Sequence, residues 1–129
     1  MSTALVLVSH SEKLAEGLAE LAAQMAKDVT ILPAGGTDDG RIGTSFEKVQ
    51  EAVQKARSEG QDVVLLTDLG SATMTVESVL DFLDDDEKEH VVFAPGPFVE
   101  GAVAAAVGAQ VGSSLTDIVK AAAAKELFA

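Results

Sequence analysis

Short apolar runs alternate with helical patterns along the chain, and this alternation is what most constrains its fold. Four runs are strand-sized, rich in Val and Leu and largely non-alternating: residues 4–8, 29–32, 63–67 and 91–94. Such runs are typical of parallel strands that are covered on both faces. The sequence therefore predicts four parallel strands with helices packed on either side of them.

The helical patterns lie between and after these runs, with apolar positions that repeat every three or four residues. They are Leu14, Leu18, Leu21 and Met25; Phe46, Val49 and Val53; Val76, Val79, Leu80 and Leu83; Val99, Val103, Ala106 and Val107; and Leu115, Ile118, Val119 and Ala122. With right-handed crossovers, this order predicts a three-layer α/β fold whose open parallel sheet has the strand order 2-1-3-4. We expect residues 1–129 to form a single domain.

His10 follows the first predicted strand, at a strand-to-helix corner. Ser9 and Glu12 have the spacing of a capping box, which would make His10 the first helical residue. Thr44 and Glu47 have the same spacing before the second helix. Open α/β sheets carry their chemistry at the carboxyl edge, where His10 would lie. A histidine there can act as a nucleophile, a base or a phosphoryl carrier.

Asp68 is the expected partner of His10. It follows the third strand, which lies beside the first in the predicted order, so its carboxylate can accept the N–H of one imidazole nitrogen. That bond would fix the tautomer and leave the other nitrogen free to attack. The alternative is that Asp68 caps the following helix, and the two roles can coexist.

Small and hydroxyl-bearing residues occupy the segments that follow the strands. We expect five of them to lie on the phosphate side of the imidazole: Ser11, Gly36, Thr37, Gly70 and Ser71. Helix-start amides and hydroxyl groups are neutral donors that suit a phosphoryl group. The alternative is that the glycines only relieve crowding at tight turns.

Four other polar residues are not expected to form a site. Asp38 and Asp39 lie in a glycine-rich loop without clustered partners, which indicates a solvated turn, and we expect no metal ion. The sequence offers His90 no identifiable partner, so we expect it to have a surface role. Arg57 falls on a predicted helix, and we expect it to face solvent.

Composition and charge exclude several classes of partner. The formal charge of −12 disfavours nucleic acids and anionic membranes and favours a basic protein partner. The longest apolar stretches are too short to span a membrane. Since the chain has no cysteine and no basic-plus-apolar leader, we expect a cytoplasmic protein.

Missing motifs exclude several reactions. There is no G-x-x-x-x-G-K-[ST] loop, so we expect neither ATP binding by this chain alone nor any other cofactor. A histidine phosphatase would need arginines to clamp its substrate, and the chain has only Arg41 and Arg57. Trp and Tyr, which a flavin site would use, are absent, as is the G-x-S-x-G elbow of serine hydrolases. Phosphoryl transfer through His10 itself remains.

Several motifs together resemble a known family. They are VSHS at 8–11, LAEG at 14–17, GG at 35–36, GRIGTS at 40–45, DLGSA at 68–72 and PFVEGA at 97–102. In this order they are similar to motifs of the phosphotransferase subunits of phosphoenolpyruvate-dependent dihydroxyacetone kinases. Those subunits are grouped with the IIA domains of mannose-type sugar permeases. The similarity covers essentially the whole chain.

The resemblance implies a mannose-type IIA fold, a homodimer and one phosphorylatable histidine, His10. It implies that His10 receives its phosphoryl group from the small histidine-containing phosphocarrier protein. The acceptor would then be ADP held on the nucleotide-binding subunit of the kinase. Asp68 matches the family's imidazole-orienting aspartate, and Gly70 and Ser71 match its phosphate-side loop.

Two alternatives stay open. A IIA component of a mannose-type sugar permease would use the same His10 chemistry but would deliver the phosphoryl group to a IIB partner. A non-catalytic regulatory α/β module would use His10 only as a helix-start residue. The GG, IGTS and DLGSA motifs favour the kinase subunit.

Overall fold

The computed structural model describes residues 2–125, in which strands and helices alternate. The elements are β1 (Thr3–Ser9), α1 (Glu12–Met25), β2 (Ile31–Gly35), α2 (Phe46–Ser58), β3 (Asp62–Thr67), α3 (Gly70–Asp81), α4 (Asp85–Lys88), β4 (Val91–Phe93), α5 (Phe98–Gln110) and α6 (Leu115–Ala122). All strand pairs are parallel, in the order β2-β1-β3-β4. The predicted fold class and strand order are therefore confirmed. The short helix α4 has no counterpart in the prediction.

The sheet separates two apolar cores, which explains why its central strands do not alternate. Every residue of β1 is buried. Helices α2 and α3 cover one face, where the buried side chains include Val6, Val8, Val49, Val53, Leu65 and Val76. Helices α1, α5 and α6 cover the other face, where they include Leu5, Leu7, Leu18, Leu66, Ala102 and Ile118.

Helix α1 begins later than the sequence predicts. Its N-cap is Ser11, whose hydroxyl accepts the Leu14 N–H at 3.1 Å, and the first helical residue is Glu12. The prediction that His10 opens the helix is wrong, because the hydroxyl of Ser9 is bonded across the sheet edge and does not cap the helix. His10 therefore lies in the turn between β1 and α1.

Helix α2 shows the same displacement by one residue. Ser45 is its N-cap and accepts the Lys48 N–H at 3.1 Å, so the predicted capping box of Thr44 and Glu47 is wrong. Serine and threonine are both good N-caps, so two adjacent candidates leave the choice to tertiary contacts. Thr44 instead bonds Thr75 of α3 through its hydroxyl at 2.8 Å.

Strand β2 lies at the edge of the sheet and begins two residues later than predicted. Val29 belongs to the turn after α1, where its N–H donates to the Ala26 carbonyl at 3.3 Å. Pro33 is tolerated within the strand because an edge strand has one row of unpaired positions. At Gly35 a Cβ would collide with the Ser11 carbonyl, so only glycine lets α1 start this close to the sheet.

Helices α1 and α5 leave an apolar seam on the surface. Three positions that the helical pattern of α1 predicts as core, Leu14, Leu21 and Met25, are exposed, because α1 instead buries Ala15, Leu18 and Ala22. On or next to α5, the exposed residues include Val99, Val107 and Val111.

Within residues 2–125, no helix combines the length and the hydropathy that crossing a membrane requires.

Candidate functional site

The site lies where β1 and β3 end side by side. Val8 pairs with Thr67 in the parallel register, and the Asp68 N–H donates to the Val8 carbonyl at 3.2 Å. His10 and Asp68 therefore leave the sheet at the same edge. This adjacency is the structural reason that two residues 58 positions apart meet.

The His10 ring is held at both of its nitrogens. Nδ1 lies 3.0 Å from Oδ1 of Asp68, and Nε2 lies 2.5 Å from Oγ of Ser71. An ionised carboxylate only accepts, so Nδ1 carries a proton; in the neutral form of the ring, Nε2 then presents its lone pair to the Ser71 hydroxyl, which donates. The side chain of His10 is 20% exposed. The ring thus lies at a partly exposed edge of the sheet.

Four donors converge on the Asp68 carboxylate. Oδ2 accepts the Ser9 hydroxyl at 2.8 Å and the His10 N–H at 3.0 Å. Oδ1 accepts the Leu69 N–H at 2.7 Å as well as the His10 ring. Burial raises the pKa of Asp68, but these hydrogen bonds outweigh burial and hold that pKa below its ordinary value. Asp68 therefore stays ionised at neutral pH and orients the ring.

Gly70 and Ser71 form the first turn of α3 beside the ring. The N-cap of α3 is Leu69, which offers no side-chain hydrogen bond. Its carbonyl accepts the Ala72 N–H at 3.0 Å, whereas the N–H groups of Gly70 and Ser71 have no acceptor among the described hydrogen bonds. These N–H groups and the positive end of the helix dipole are suited to an anion at Nε2. The alternative that Asp68 acts only as a helix cap does not account for its contact with the ring.

The loop of residues 36–44 braces His10 through its backbone. The Gly43 N–H donates to the His10 carbonyl at 2.8 Å, and the Gly36 N–H donates to the Ser9 carbonyl at 3.1 Å. Thr37 donates its N–H to the Arg41 carbonyl, and its hydroxyl is bonded within the loop. The donors of Gly36 and Thr37 thus already have acceptors, and their role on the phosphate side stays a prediction.

Ser11 is also engaged on the helix side of the site. Its N–H donates to Oγ of Ser9 at 3.0 Å, and its hydroxyl accepts the Leu14 N–H. As an acceptor in that bond, the hydroxyl keeps its own proton for another partner. A phosphate contact by Ser11 also stays a prediction.

The two neighbouring aspartates of the loop bind within the protein. Asp38 accepts the hydroxyl of Ser45, and Asp39 forms an ion pair with Arg41. Among the described residues there is no group of three or more His, Asp or Glu side chains that could hold a metal ion.

A second histidine-aspartate pair lies at the opposite, amino edge of the sheet. Nδ1 of His90 lies 2.8 Å from Oδ1 of Asp62, so the expectation that His90 lacks a partner is wrong. The expectation that Arg57 faces solvent is also wrong, since its guanidinium bonds both carboxylate oxygens of Glu87, at 3.2 and 3.0 Å. The strand register could have revealed the contact between His90 and Asp62, because these two residues directly precede the first paired residues of β4 and β3.

Comparison with known families agrees with this geometry. A family model described as "PTS system fructose IIA component" matches residues 4–119. The chain belongs to this family, EIIA-man. The match includes His10, Asp68 and the start of α3, so both residues that hydrogen-bond the imidazole lie within the EIIA-man region.

Relatives within EIIA-man share a description. "PEP-dependent dihydroxyacetone kinase 1, phosphoryl donor subunit DhaM" of Listeria innocua is 44% identical over 105 residues, covering 81% of this chain and 80% of the relative. "PTS-dependent dihydroxyacetone kinase, phosphotransferase subunit DhaM" of Lactococcus lactis is 35% identical over 118 residues, covering 92% and 91%. A DhaM of Providencia stuartii is 43% identical over 118 residues, covering 88% of this chain, which spans only 24% of that relative's length.

A solved structure supports the EIIA-man fold. The crystal structure described as "unknown function protein EF1359" superposes with a TM-score of 0.88 at 34% sequence identity. The superposition covers 96% of this chain and 95% of the other.

Proposed function

We propose that this chain is a phosphohistidine carrier, the phosphoryl donor subunit of a phosphoenolpyruvate-dependent dihydroxyacetone kinase. The observation that carries the proposal is the His10 ring, with Nδ1 bonded to Asp68 and Nε2 directed at Ser71 on the first turn of α3. The DhaM relatives of similar length support the choice of system. The protein works in the cytoplasm, where phosphoenolpyruvate and its carriers are found.

In the first transfer, Nε2 of His10 attacks the phosphoryl group on the histidine-containing phosphocarrier protein. The nitrogen–phosphorus bond of the carrier breaks as the bond from phosphorus to Nε2 forms, and the carrier's imidazole recovers its lone pair. The Nδ1 proton stays on the ring, and Asp68 stabilises the positive charge that the ring acquires. The Ser71 hydroxyl turns from Nε2 to a phosphoryl oxygen.

In the second transfer, the terminal phosphate of ADP on the nucleotide-binding subunit attacks the same phosphorus. The bond to Nε2 breaks, ATP forms on that subunit, and His10 returns to its starting state. Among the described ion pairs, no Lys or Arg contacts His10 or Asp68. Neutral donors position a phosphoryl group without holding it as strongly as an arginine clamp would, and this suits a carrier that must pass the group on.

The experiment that tests the acceptor is a chase of the phosphorylated chain. The chain is labelled with radioactive phosphoenolpyruvate through the general phosphotransferase enzyme and the phosphocarrier protein, then purified. It is mixed with an ADP-loaded kinase subunit or with a IIB protein. We expect label to leave the chain and to appear as ATP only with the kinase subunit.

The second candidate is a IIA component of a mannose-type sugar permease. The description of the matching family model, a sugar-type IIA component, favours it. It predicts the opposite result in the same chase, with label passing to the IIB protein and none to ADP. That result would replace the kinase proposal.

We also propose that two copies of the chain associate through the seam between α1 and α5. Gly101 and Gly108 bring α5 against α6, so the valines of α5 lie on its other side, toward α1. Glu100 is the one charged residue of α5, and a helix that is apolar all round is usually buried. For a chain with a net charge of −12, a face almost free of carboxylates is where a second copy meets the least repulsion.

Replacement of Val107 by glutamate is expected to separate the dimer. Val107 is 44% exposed on α5, so the monomer should fold, while a charge buried between copies is costly. Sedimentation and light scattering should show a dimer for wild type and a monomer for Val107→Glu. The control is Phe82→Glu, at the end of α3 on the opposite layer, where the ring is 73% exposed. If only Phe82→Glu became monomeric, the interface would lie on the side of α2 and α3, and the proposed seam would be refuted.

A further inference from the structure

Among the described residues that donate a hydrogen bond to the Asp68 carboxylate, Ser9 is the one that is fully buried. Its relative exposure is 0%, so it can touch neither a phosphoryl group nor a partner protein. Its hydroxyl donates to Oδ2 of Asp68 at 2.8 Å and accepts the Ser11 N–H at 3.0 Å. Its carbonyl accepts the Gly36 N–H. Ser9 thus joins the ends of β1, β2 and β3 to the start of α1.

We infer that Ser9 is a positioning residue that acts on His10 through Asp68, an inference that rests on the proposed function. The two carboxylate oxygens of Asp68 have different hydrogen-bond donors. Oδ1 faces the His10 ring, whereas Oδ2 is held by the Ser9 hydroxyl and the His10 N–H. Two donors at Oδ2 fix the rotation of the carboxylate about its last bond, and that rotation decides whether Oδ1 points at Nδ1.

The bond from Ser9 is stronger than an ordinary hydroxyl bond. The acceptor is ionised, and the Ser9 oxygen itself accepts an N–H, which polarises its O–H further. Without this donor Asp68 also becomes more basic, which by itself would strengthen its remaining bonds. Oδ1 keeps both of its own donors, however, so the main loss is at Oδ2, where the carboxylate gains freedom to turn.

The test compares wild type with Ser9→Ala by NMR of the ring nitrogens at neutral pH. We expect the ratio of the Nδ1–H to the Nε2–H tautomer of His10 to fall by up to about tenfold, the effect of losing one charge-assisted hydrogen bond. His90 is an internal reference in the same spectrum, because its partner Asp62 lies at the other edge of the sheet. Ser9→Cys keeps nearly the same volume with a weaker donor, and should shift the ratio in the same direction.

The matched control is Ser45→Ala. Ser45 is also a buried serine whose hydroxyl donates to an aspartate, Asp38, which makes no contact with His10 among the described hydrogen bonds. It should lower the melting temperature and leave the His10 tautomer unchanged. Folded Ser9→Ala and Ser9→Cys proteins with wild-type ring shifts would overturn the inference.

Phosphorylation kinetics give a second readout. Because Ser9 is buried, its replacement by alanine should lower the rate constant of phosphorylation and leave the KM for the donor protein unchanged. A raised KM at an unchanged rate constant would contradict a positioning role. The NMR ratio does not depend on phosphorylation, so a wild-type chain that accepts no phosphoryl group would refute the proposed function alone.

Discussion

Replacement of His10 by alanine is expected to abolish phosphorylation of the chain. With radioactive phosphoenolpyruvate, the general phosphotransferase enzyme and the phosphocarrier protein, wild type should take up label that is stable to base and lost in acid. His10→Ala should take up none, because it removes Nε2, the nitrogen on which such an acid-labile, base-stable phosphoryl group would be carried. Autoradiography after electrophoresis measures the result, and circular dichroism checks that the variant folds.

The chain supplies a matched control for that experiment. His90 also has Nδ1 bonded to an aspartate, but it lies at the amino edge of the sheet. His90→Ala should be labelled at the wild-type rate. Equal labelling of wild type and His10→Ala would refute the carrier function, and loss of label with His90→Ala alone would move the acceptor to the other edge.

Asp68→Ala is expected to slow phosphorylation on the order of a hundredfold, or about 2.7 kcal/mol of transition-state stabilisation. The variant keeps the nucleophile but loses the acceptor that holds the proton on Nδ1, so the ring turns and spends time as the wrong tautomer. It also leaves the Ser9 hydroxyl and the His10 and Leu69 N–H groups without their acceptor, so its melting temperature should fall. Rapid-quench labelling measures the rate constant.

Asp62→Ala is the control for a general effect of removing a carboxylate from a histidine. It deprives His90 of its partner and should leave the rate constant of phosphorylation unchanged. If Asp68→Ala were labelled as fast as wild type, Asp68 would have no orienting role in phosphorylation. A variant that is slow only because it is unfolded would be recognised by its loss of circular dichroism.

The sheet and the His10–Asp68 contact could be predicted because both follow from patterns with a fixed geometry. Apolar runs of this length and composition become strands, and crossover handedness orders them. Once β1 and β3 are neighbours, the residues that follow them share an edge. The same logic would have paired Asp62 with His90, since they directly precede the first paired residues of two neighbouring strands.

The first residue of each helix could not be predicted, because the sequence does not show which of two neighbouring hydroxyls will donate to a distant carboxylate and which will cap the helix. Ser9 and Ser11 are equally good N-caps in isolation, and the bond from Ser9 to Asp68 leaves Ser11 for the helix. The exposed leucines of α1 have a different cause. Apolar periodicity marks a face that avoids water but does not say whether the same chain or another copy covers it.

The single hydroxyl proton of Ser71 has a thermodynamic consequence for the proposed relay. In the resting chain the Ser71 hydroxyl donates a hydrogen bond to Nε2 of His10, over 2.5 Å. When a phosphoryl group occupies Nε2 in the proposed relay, the same hydroxyl donates to a phosphoryl oxygen instead. One hydrogen bond from Ser71 is therefore present both before and after the transfer. Its contribution to the equilibrium constant of the transfer is therefore the difference between these two hydrogen bonds and not the whole of one.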